Sequence, residues 1–274
     1  MRLRVEPLFL YRPKSNRPDW VAILPRVLLV GFDGCPVLGG KTRSAARALQ
    51  ESNATGRIAQ RGRALYPARM IGLIDYGAGN LRSVHRALVK VGAQVQLITD
   101  PEAMPGCDAV VLPGVGAFDD CLNALDRSRM FAACREFIAT GKPFLGICVG
   151  YQALFERSHE FNSKAPGLGI FKGEVVRFPE TQGLKVPQIG WNQIEIVQPA
   201  CPLYRGLPNR SYVYFVHSFF PVPKDPSITA TCTDYGCRFA SSVWRDNVYA
   251  TQFHPEKSQQ VGLRLLTNFV ELTT

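Results

Sequence analysis

The sequence predicts an α/β protein. One domain, residues 70–274, is expected to rest on a mostly parallel, doubly wound sheet with antiparallel hairpins added, behind a basic extension of residues 1–69. Three observations carry that expectation. From Met70 onward, short apolar runs alternate with segments of helical period, the pattern of successive βα units. Past Glu160 the apolar segments become short, partly alternating and bounded by turn residues, as in antiparallel hairpins. The charge is also unevenly spread: residues 1–69 hold thirteen Lys and Arg against four Asp and Glu, +9 of the chain's net +10.

The remaining residues are therefore close to neutral, and neither a nucleic acid nor an acidic membrane is expected as a partner of the folded part. The most apolar stretch of the extension, Trp20 to Gly31, is broken by Pro25 and Arg26 and is too short to span a bilayer. The extension lacks the charged, apolar and small-residue order of a secretion signal. A basic helix over Lys41 to Leu65 would be weakened by Gly56 and Gly62. The extension reads as upstream sequence brought in by an early start codon. A transit peptide and a nucleic-acid-binding arm are the alternatives, the second without the interleaved aromatics such an arm uses. Disorder is expected in each case.

Met70 to Ile74 reads as a buried strand, with Asp75 to Gly79 as its turn. Leu81, Val84, His85, Leu88 and Val91 then share one face at helical spacing, His85 as a surface or packing residue. Gln94 to Ile98 and Ala109 to Leu112 are the next strands; Phe118 to Leu125 and Met130 to Ile138 are helices. Pro143 to Ile147 is a further buried strand, and Tyr151 to Glu156 has helical spacing. Beyond Glu160, strands are expected at Gly173 to Phe178, Trp191 to Ile196, Tyr212 to Val216, Ile228 to Thr233 and Val248 to Phe253. A closing helix runs from Gln260 to Leu272. Ligands of doubly wound sheets sit beyond the carboxyl ends of the strands, where the Asp75 turn, the Pro113 loop and Cys148 all lie.

Cys148 stands between a buried strand and a helix in Gly146-Ile147-Cys148-Val149-Gly150. A sharp strand-to-helix turn around a nucleophile needs small residues two before and two after it, because the backbone passes close to itself there. Such a turn exposes the sulfur above the first amides of a helix, the setting of reactive thiols. Far downstream, Thr251 to Glu256 has strand character up to His254. In an extended segment residues two apart share a face, so His254 and Glu256 are expected to project together. A cysteine, a histidine and a carboxylate to hold it are the parts of a nucleophile–base–orienter triad.

Gly146-x-Cys148-x-Gly150-x-Gln152 followed by Phe253-His254-Pro255-Glu256 resembles the class I, triad-type glutamine amidotransferases, and the resemblance implies their flavodoxin-like fold. Asp75-Tyr76-Gly77-Ala78-Gly79-Asn80-Leu81, Pro113-Gly114-Val115-Gly116-Ala117-Phe118, Gly190-Trp191-Asn192, Tyr214-Phe215-Val216-His217-Ser218 and Pro255-Glu256-Lys257-Ser258 are similar to the glutaminase subunits of imidazole glycerol phosphate synthases, from histidine biosynthesis. The resemblance runs from Met70 to the C-terminus. It implies that Cys148 attacks the side-chain amide of L-glutamine, that His254 moves the proton and that Glu256 orients His254. The backbone N–H of Val149 and the Gly114-Val115-Gly116 strip would supply oxyanion donors, and the two glycines there would allow a peptide to flip as an activation switch. Gly114 and Gly116 serving only a tight turn is the competing reading. By the same resemblance, Gln152 and Glu160 contact the glutamine, and the backbone near Ser218 and Phe219 holds its α-amino and carboxylate groups. Glu160 as a solvated acid, His217 as a satisfied strand histidine and His159 as a surface residue are the plainer readings. The family commonly carries a histidine where this chain has Gln188, a departure that concerns that loop and not the triad.

The resemblance further implies a separate (β/α)8-barrel synthase subunit, joined in a heterodimer and fed ammonia through the barrel. It makes imidazole glycerol phosphate and aminoimidazole carboxamide ribotide. Asn80, Trp191 and Lys257 match positions at or near the subunit contact, although Trp191 would equally serve as a core aromatic. The eight cysteines show no paired metal spacing, so neither metal nor cofactor is expected. All eight read as reduced thiols of a cytoplasmic protein. The alternatives are the glutaminase of another triad amidotransferase, serving anthranilate or pyridoxal phosphate synthesis, and a catalytically silent binding subunit.

Overall fold

The computed structural model describes residues 69–273 except 78, 181 and 182. The expectations for the extension lie outside the described residues, apart from Arg69. That residue already belongs to the fold: its guanidinium donates to the Val270 carbonyl at 2.7 Å, and its own carbonyl accepts from the Gln94 amide.

The strands are β1 (Met70–Ile74), β2 (Gln94–Ile98), β3 (Ala109–Gly114), β4 (Phe144–Cys148), β5 (Arg157–Ser158), β6 (Gly173–Arg177), β7 (Gln188–Ile196), β8 (Ser211–His217), β9 (Phe219–Pro223), β10 (Thr229–Asp234), β11 (Arg238–Arg245) and β12 (Val248–Thr251). The helices are α1 (Leu81–Lys90), α2 (Phe118–Arg127), α3 (Met130–Ala139), α4 (Val149–Gln152) and α5 (Gln259–Glu271). Nine strands form one sheet in the order β2-β1-β3-β4-β12-β11-β10-β7-β8; β5, β6 and β9 form a second.

The large sheet changes character at β12. Its β2-β1-β3-β4-β12 half is parallel, and β12-β11-β10-β7-β8 is antiparallel. The expected hairpins are therefore a continuation of the parallel sheet. In the parallel half the chain steps outward from β1 to β2 and in the opposite sense from β3 to β4. Right-handed crossovers then put α1 on one face and α2 with α3 on the other, which is the double winding. The strands β3 and β4 are buried at every residue, as expected of a sheet covered on both sides.

Most strand expectations match, with three differences. The segment Tyr151 to Glu156 is not a helix: α4 starts earlier, at Val149, and ends after one turn. Leu154 and Phe155 are fully buried, and the carbonyls of residues 153–156 accept from the amides of Gly167, Leu168, Gly169, Ile170 and Phe171. Tertiary pairing thus takes the groups that would have continued the helix. The second difference is β11, whose central Ser241 and Ser242 hide its apolar pattern; both are buried, and their hydroxyls bond Thr231 at 2.8 Å. The third is β9, in which Pro221 and Pro223 conceal a strand that pairs with β6 alone.

Candidate active site

β4 and β12 are parallel neighbours, with Gly146 opposite Ala250 and Ile147 opposite Thr251. Both therefore end on the same edge of the sheet, and the chain just past each, at Cys148 and at His254, meets over that edge. Cys148 turns the chain with φ 57° and ψ −111°, a conformation uncommon for a residue with a side chain. The two glycines make that turn possible. A β-carbon at Gly146 would stand 2.7 Å from the Gly150 carbonyl oxygen, and one at Gly150 would stand 2.1 Å from that of Leu112.

His254 is 2 % exposed, and its Nδ1 lies 2.8 Å from Oε1 of Glu256. Its Nε2 has no hydrogen-bond partner among the described residues, and the ring lines the same cavity as Cys148. Burial lowers the imidazole pKa, but the influence of Cys148, then the hydrogen bond and charge of Glu256, outweigh it and push His254 up to about 10. The proton is thereby held on the ring between the sulfur and the carboxylate. The route to this geometry differs from the extended segment expected. Pro255–Lys257 is a single 3₁₀ turn, which brings Glu256 round to the ring. Ser258 clamps it: its hydroxyl donates to the His254 carbonyl at 2.7 Å and accepts from the Tyr214 amide at 3.0 Å.

In front of the sulfur is a cavity of about 360 Å³. Val115, Gly116, Val149, Gln152, Glu160, Ser218, Phe219 and Lys257 all line it together with Cys148 and His254. Gly114 does not; it presses against the elbow, where a β-carbon would come within 2.3 Å of the Gly150 nitrogen. Glu160 is no solvated acid. Its Oε2 accepts from the Phe118 amide at 2.7 Å, and burial raises its pKa. The loop after it is tied to α2, where Asp119 accepts from the Ser163 hydroxyl and the Lys164 amide.

His217 also lines the cavity, buried, with Nδ1 2.9 Å from the Phe219 carbonyl and Nε2 3.0 Å from the Gln188 side chain. Burial, opposed by the Phe219 contact and reinforced by the charge of His254, lowers its pKa to about 4. The Gln188 atom at that distance is Oε1, so a neutral ring that donates from Nδ1 and accepts at Nε2 requires the Gln188 amide turned over to bring its N–H₂ there. The replaced position therefore contributes a buried partner for His217. His159 is exposed and pairs with Glu174 at 2.9 Å.

Trp191 is not a core aromatic: it is 45 % exposed and packs edge-on to Tyr214, over whose ring Lys257 places its ammonium at 5.6 Å. Asn80 is at the N-cap of α1 without a side-chain cap bond. Two residues near the sulfur were absent from the candidates read in the sequence. Gln252, fully buried, places Nε2 3.8 Å from the sulfur and Oε1 3.2 Å from Gln152 Nε2, which also donates to the Phe219 carbonyl at 2.9 Å. Tyr76 donates its hydroxyl to the Pro113 carbonyl at 3.0 Å. Tyr76 stands inside the motif that begins at Asp75, and Gln252 falls within the stretch Thr251 to Glu256 just before the Phe253 motif. Among the described residues no group of His, Cys, Asp and Glu is arranged to hold a metal ion.

The sequence profile of the family Glutamine amidotransferase class-I matches residues 72–272. The chain belongs to the class-I glutamine amidotransferases. It is 52 % identical over 208 residues to the protein of Syntrophotalea carbinolica named imidazole glycerol phosphate synthase subunit HisH, covering 74 % of this chain and 100 % of that one. The Geobacter sulfurreducens protein of the same name is 47 % identical over 208 residues, covering 74 % of this chain and 98 % of its own. Among solved structures, PurLQS from Thermotoga maritima superposes with a TM-score of 0.60 at 18 % identity, over 75 % of this chain and 97 % of that one. The glutaminase domain of Trypanosoma brucei CTPS gives 0.56 at 14 % identity, over 75 % and 94 %. These structures share the fold; the sequence relatives share far more.

Proposed function

We propose that this amidotransferase is the glutaminase subunit of an imidazole glycerol phosphate synthase, with the activity in residues 70–274. The observation that carries the chemistry is the Nδ1–Glu256 bond of 2.8 Å behind a histidine that shares one cavity with Cys148 at the strained elbow. The substrate and pathway follow from the relatives' name.

In this reading the Cys148 sulfur attacks the carboxamide carbon of L-glutamine, and His254 holds the thiol proton. The tetrahedral oxyanion is met by the Val149 amide and by a donor from the Val115-Gly116 strip; losing one such donor typically costs about 10²–10³ in rate. His254 then protonates the departing nitrogen, releasing ammonia and leaving a thioester. Water activated by His254 hydrolyses it to glutamate and restores the thiol. Glu256 keeps the ring oriented throughout. Glu160 and Gln152 hold the glutamine with the backbone at Ser218 and Phe219.

The ammonia is used by a separate (β/α)8-barrel synthase in a cytoplasmic heterodimer. The exposed Trp191 and the Lys257–Tyr214 pair at the cavity, with Asn80, are assigned to that contact. The test is ammonia release from glutamine by the full chain, alone and then with the purified barrel synthase and its nucleotide substrate. Slow release alone, a large rise in the complex and none with Cys148→Ala support the reading. Release that survives Cys148→Ala, or none in the complex, overturns it.

A further inference from the structure

Gln252 follows β12 and is fully buried, and its backbone amide donates to the Ser241 carbonyl at 2.9 Å. Its side chain is a primary amide, which gives hydrogens at one end and accepts at the other, so its effect on a neighbour depends on which end is presented. Here the main chain makes that choice. The Phe219 carbonyl, at the start of β9, can only accept, and the end of the Gln152 side chain that lies 2.9 Å from it must be N–H₂. The same nitrogen stands 3.2 Å from Gln252, which has to offer its oxygen in return. The N–H₂ of Gln252 is thereby left for the Cys148 sulfur, 3.8 Å away. Turning over either buried amide would set like ends against each other, so the order from carbonyl to sulfur is fixed.

The two ends of this series act on different parts of the reaction. A donor beside a sulfur stabilises the anion more than the thiol, because the anion carries a full charge, and the anion is the form that attacks carbon. An amide does not titrate, so Gln252 offers this donor at every pH. At the other end, Gln152 spends the hydrogens of its nitrogen on Phe219 and Gln252. It lines the cavity, and so it meets a ligand through its oxygen, an acceptor that suits the α-ammonium of an amino acid.

We propose that Gln252 is a further residue of the catalytic centre: its amide donates to the Cys148 sulfur and, by fixing which way Gln152 faces, positions the glutamine. This rests on the catalytic reading given above. Two tasks meet in one side chain because β12 ends beside β4, which carries the nucleophile, while α4 carries Gln152 one turn further on. An apolar residue of the same length would fill the space and perform neither task.

The experiment is Gln252→Met in the full chain, which keeps the length of the side chain and removes both donor and acceptor. Alkylation of Cys148 by iodoacetamide is followed against pH by peptide mass, and glutamine hydrolysis is followed in the complex with the barrel synthase. The expected alkylation rate at neutral pH falls about tenfold, its rising limb moves to higher pH, and the KM for glutamine rises severalfold. A wild-type alkylation curve, or an unchanged KM, in a variant that melts as the wild type does overturns the proposal. If the variant does not fold, the side-chain amide proton resonances of Gln252 in the wild-type chain decide. Resonances that shift when Cys148 is alkylated support the proposal; resonances that stay in place overturn it. Alkylation and resonance shifts need no glutamine. A wild-type complex without Cys148-dependent hydrolysis therefore defeats the catalytic reading, while these two readouts still report on Gln252.

Discussion

At the scale of single residues, the site is decided by what surrounds His254. A buried imidazole on its own would lose its proton; here Cys148 and Glu256 reverse that tendency and carry it up to about 10. Glu256 supplies two of the raising contributions, its hydrogen bond and its charge. Glu256→Gln is therefore expected to bring the His254 pKa down. The high-pH limb of kcat/KM, where the ring loses the proton it must deliver, should move to lower pH, with kcat reduced at every pH. A pH–rate profile of the complex checks this; an upper limb left in place would mean that Glu256 does not tune the ring. The residue scale also explains Gln188. Gln188 places Oε1 3.0 Å from the His217 Nε2, and with its amide turned over it would supply the one donor a neutral ring needs there.

At the scale of elements, β11 shows how a central strand can be invisible in sequence. Its register runs between β10 and β12, and its middle is serine. The hydroxyls of Ser241 and Ser242 meet Thr231, and Tyr204 donates to Ser242 at 2.6 Å. Polar residues are acceptable in such a place because they satisfy one another. Ser242→Ala breaks that set and leaves the buried Tyr204 hydroxyl with Thr231 alone, at a cost of about 1 kcal/mol. The measurement is denaturant unfolding, with kcat in the complex unchanged; a neutral substitution would mean that the network does not hold β10 to β11. The short α4 follows the same logic in reverse. Residues with helical spacing leave the helix after Gln152 because the chain at 167–171 claims their carbonyls.

At the scale of the whole molecule, the site exists because a parallel and an antiparallel half share β12. That strand is parallel to β4, which carries Cys148, and antiparallel to β11, which leads through β10 to the β7–β8 hairpin. Tyr214 on β8 accepts the His254 amide at 2.9 Å, so the far edge of the sheet closes over the triad. Stability should register that closure through His217, buried between β8 and the cavity. Its pKa is about 4 folded against 6.5 for an ordinary histidine. Above 6.5 both states are neutral and the group contributes nothing to the pH dependence. As pH falls from 6.5 to 4 the unfolded chain takes up a proton that the fold refuses, and stability drops by on the order of 3 kcal/mol before levelling off. His217→Gln removes the titration, so its unfolding free energy should fall less over that window. Equal slopes for the two proteins would place the acid sensitivity elsewhere.

Much of this was legible from residue order alone. The βα alternation, the elbow glycines and the separate histidine–carboxylate pair are local patterns, and local sterics and periodicity act within a few residues. They set the parallel half of the sheet, the identity of the triad and the family resemblance. What tertiary structure alone decided was everything that depends on partners distant in the chain. The 3₁₀ turn that delivers Glu256, the early end of α4, the serine-centred strand and the placement of Gly114 behind the elbow are of this kind. So are the two hydrogen bonds of the Tyr76 hydroxyl, whose partners lie 37 and 45 residues away. A pattern of side chains states which groups must be buried, but a buried polar group bonds whatever the fold brings within 3 Å, and only the packed chain determines that.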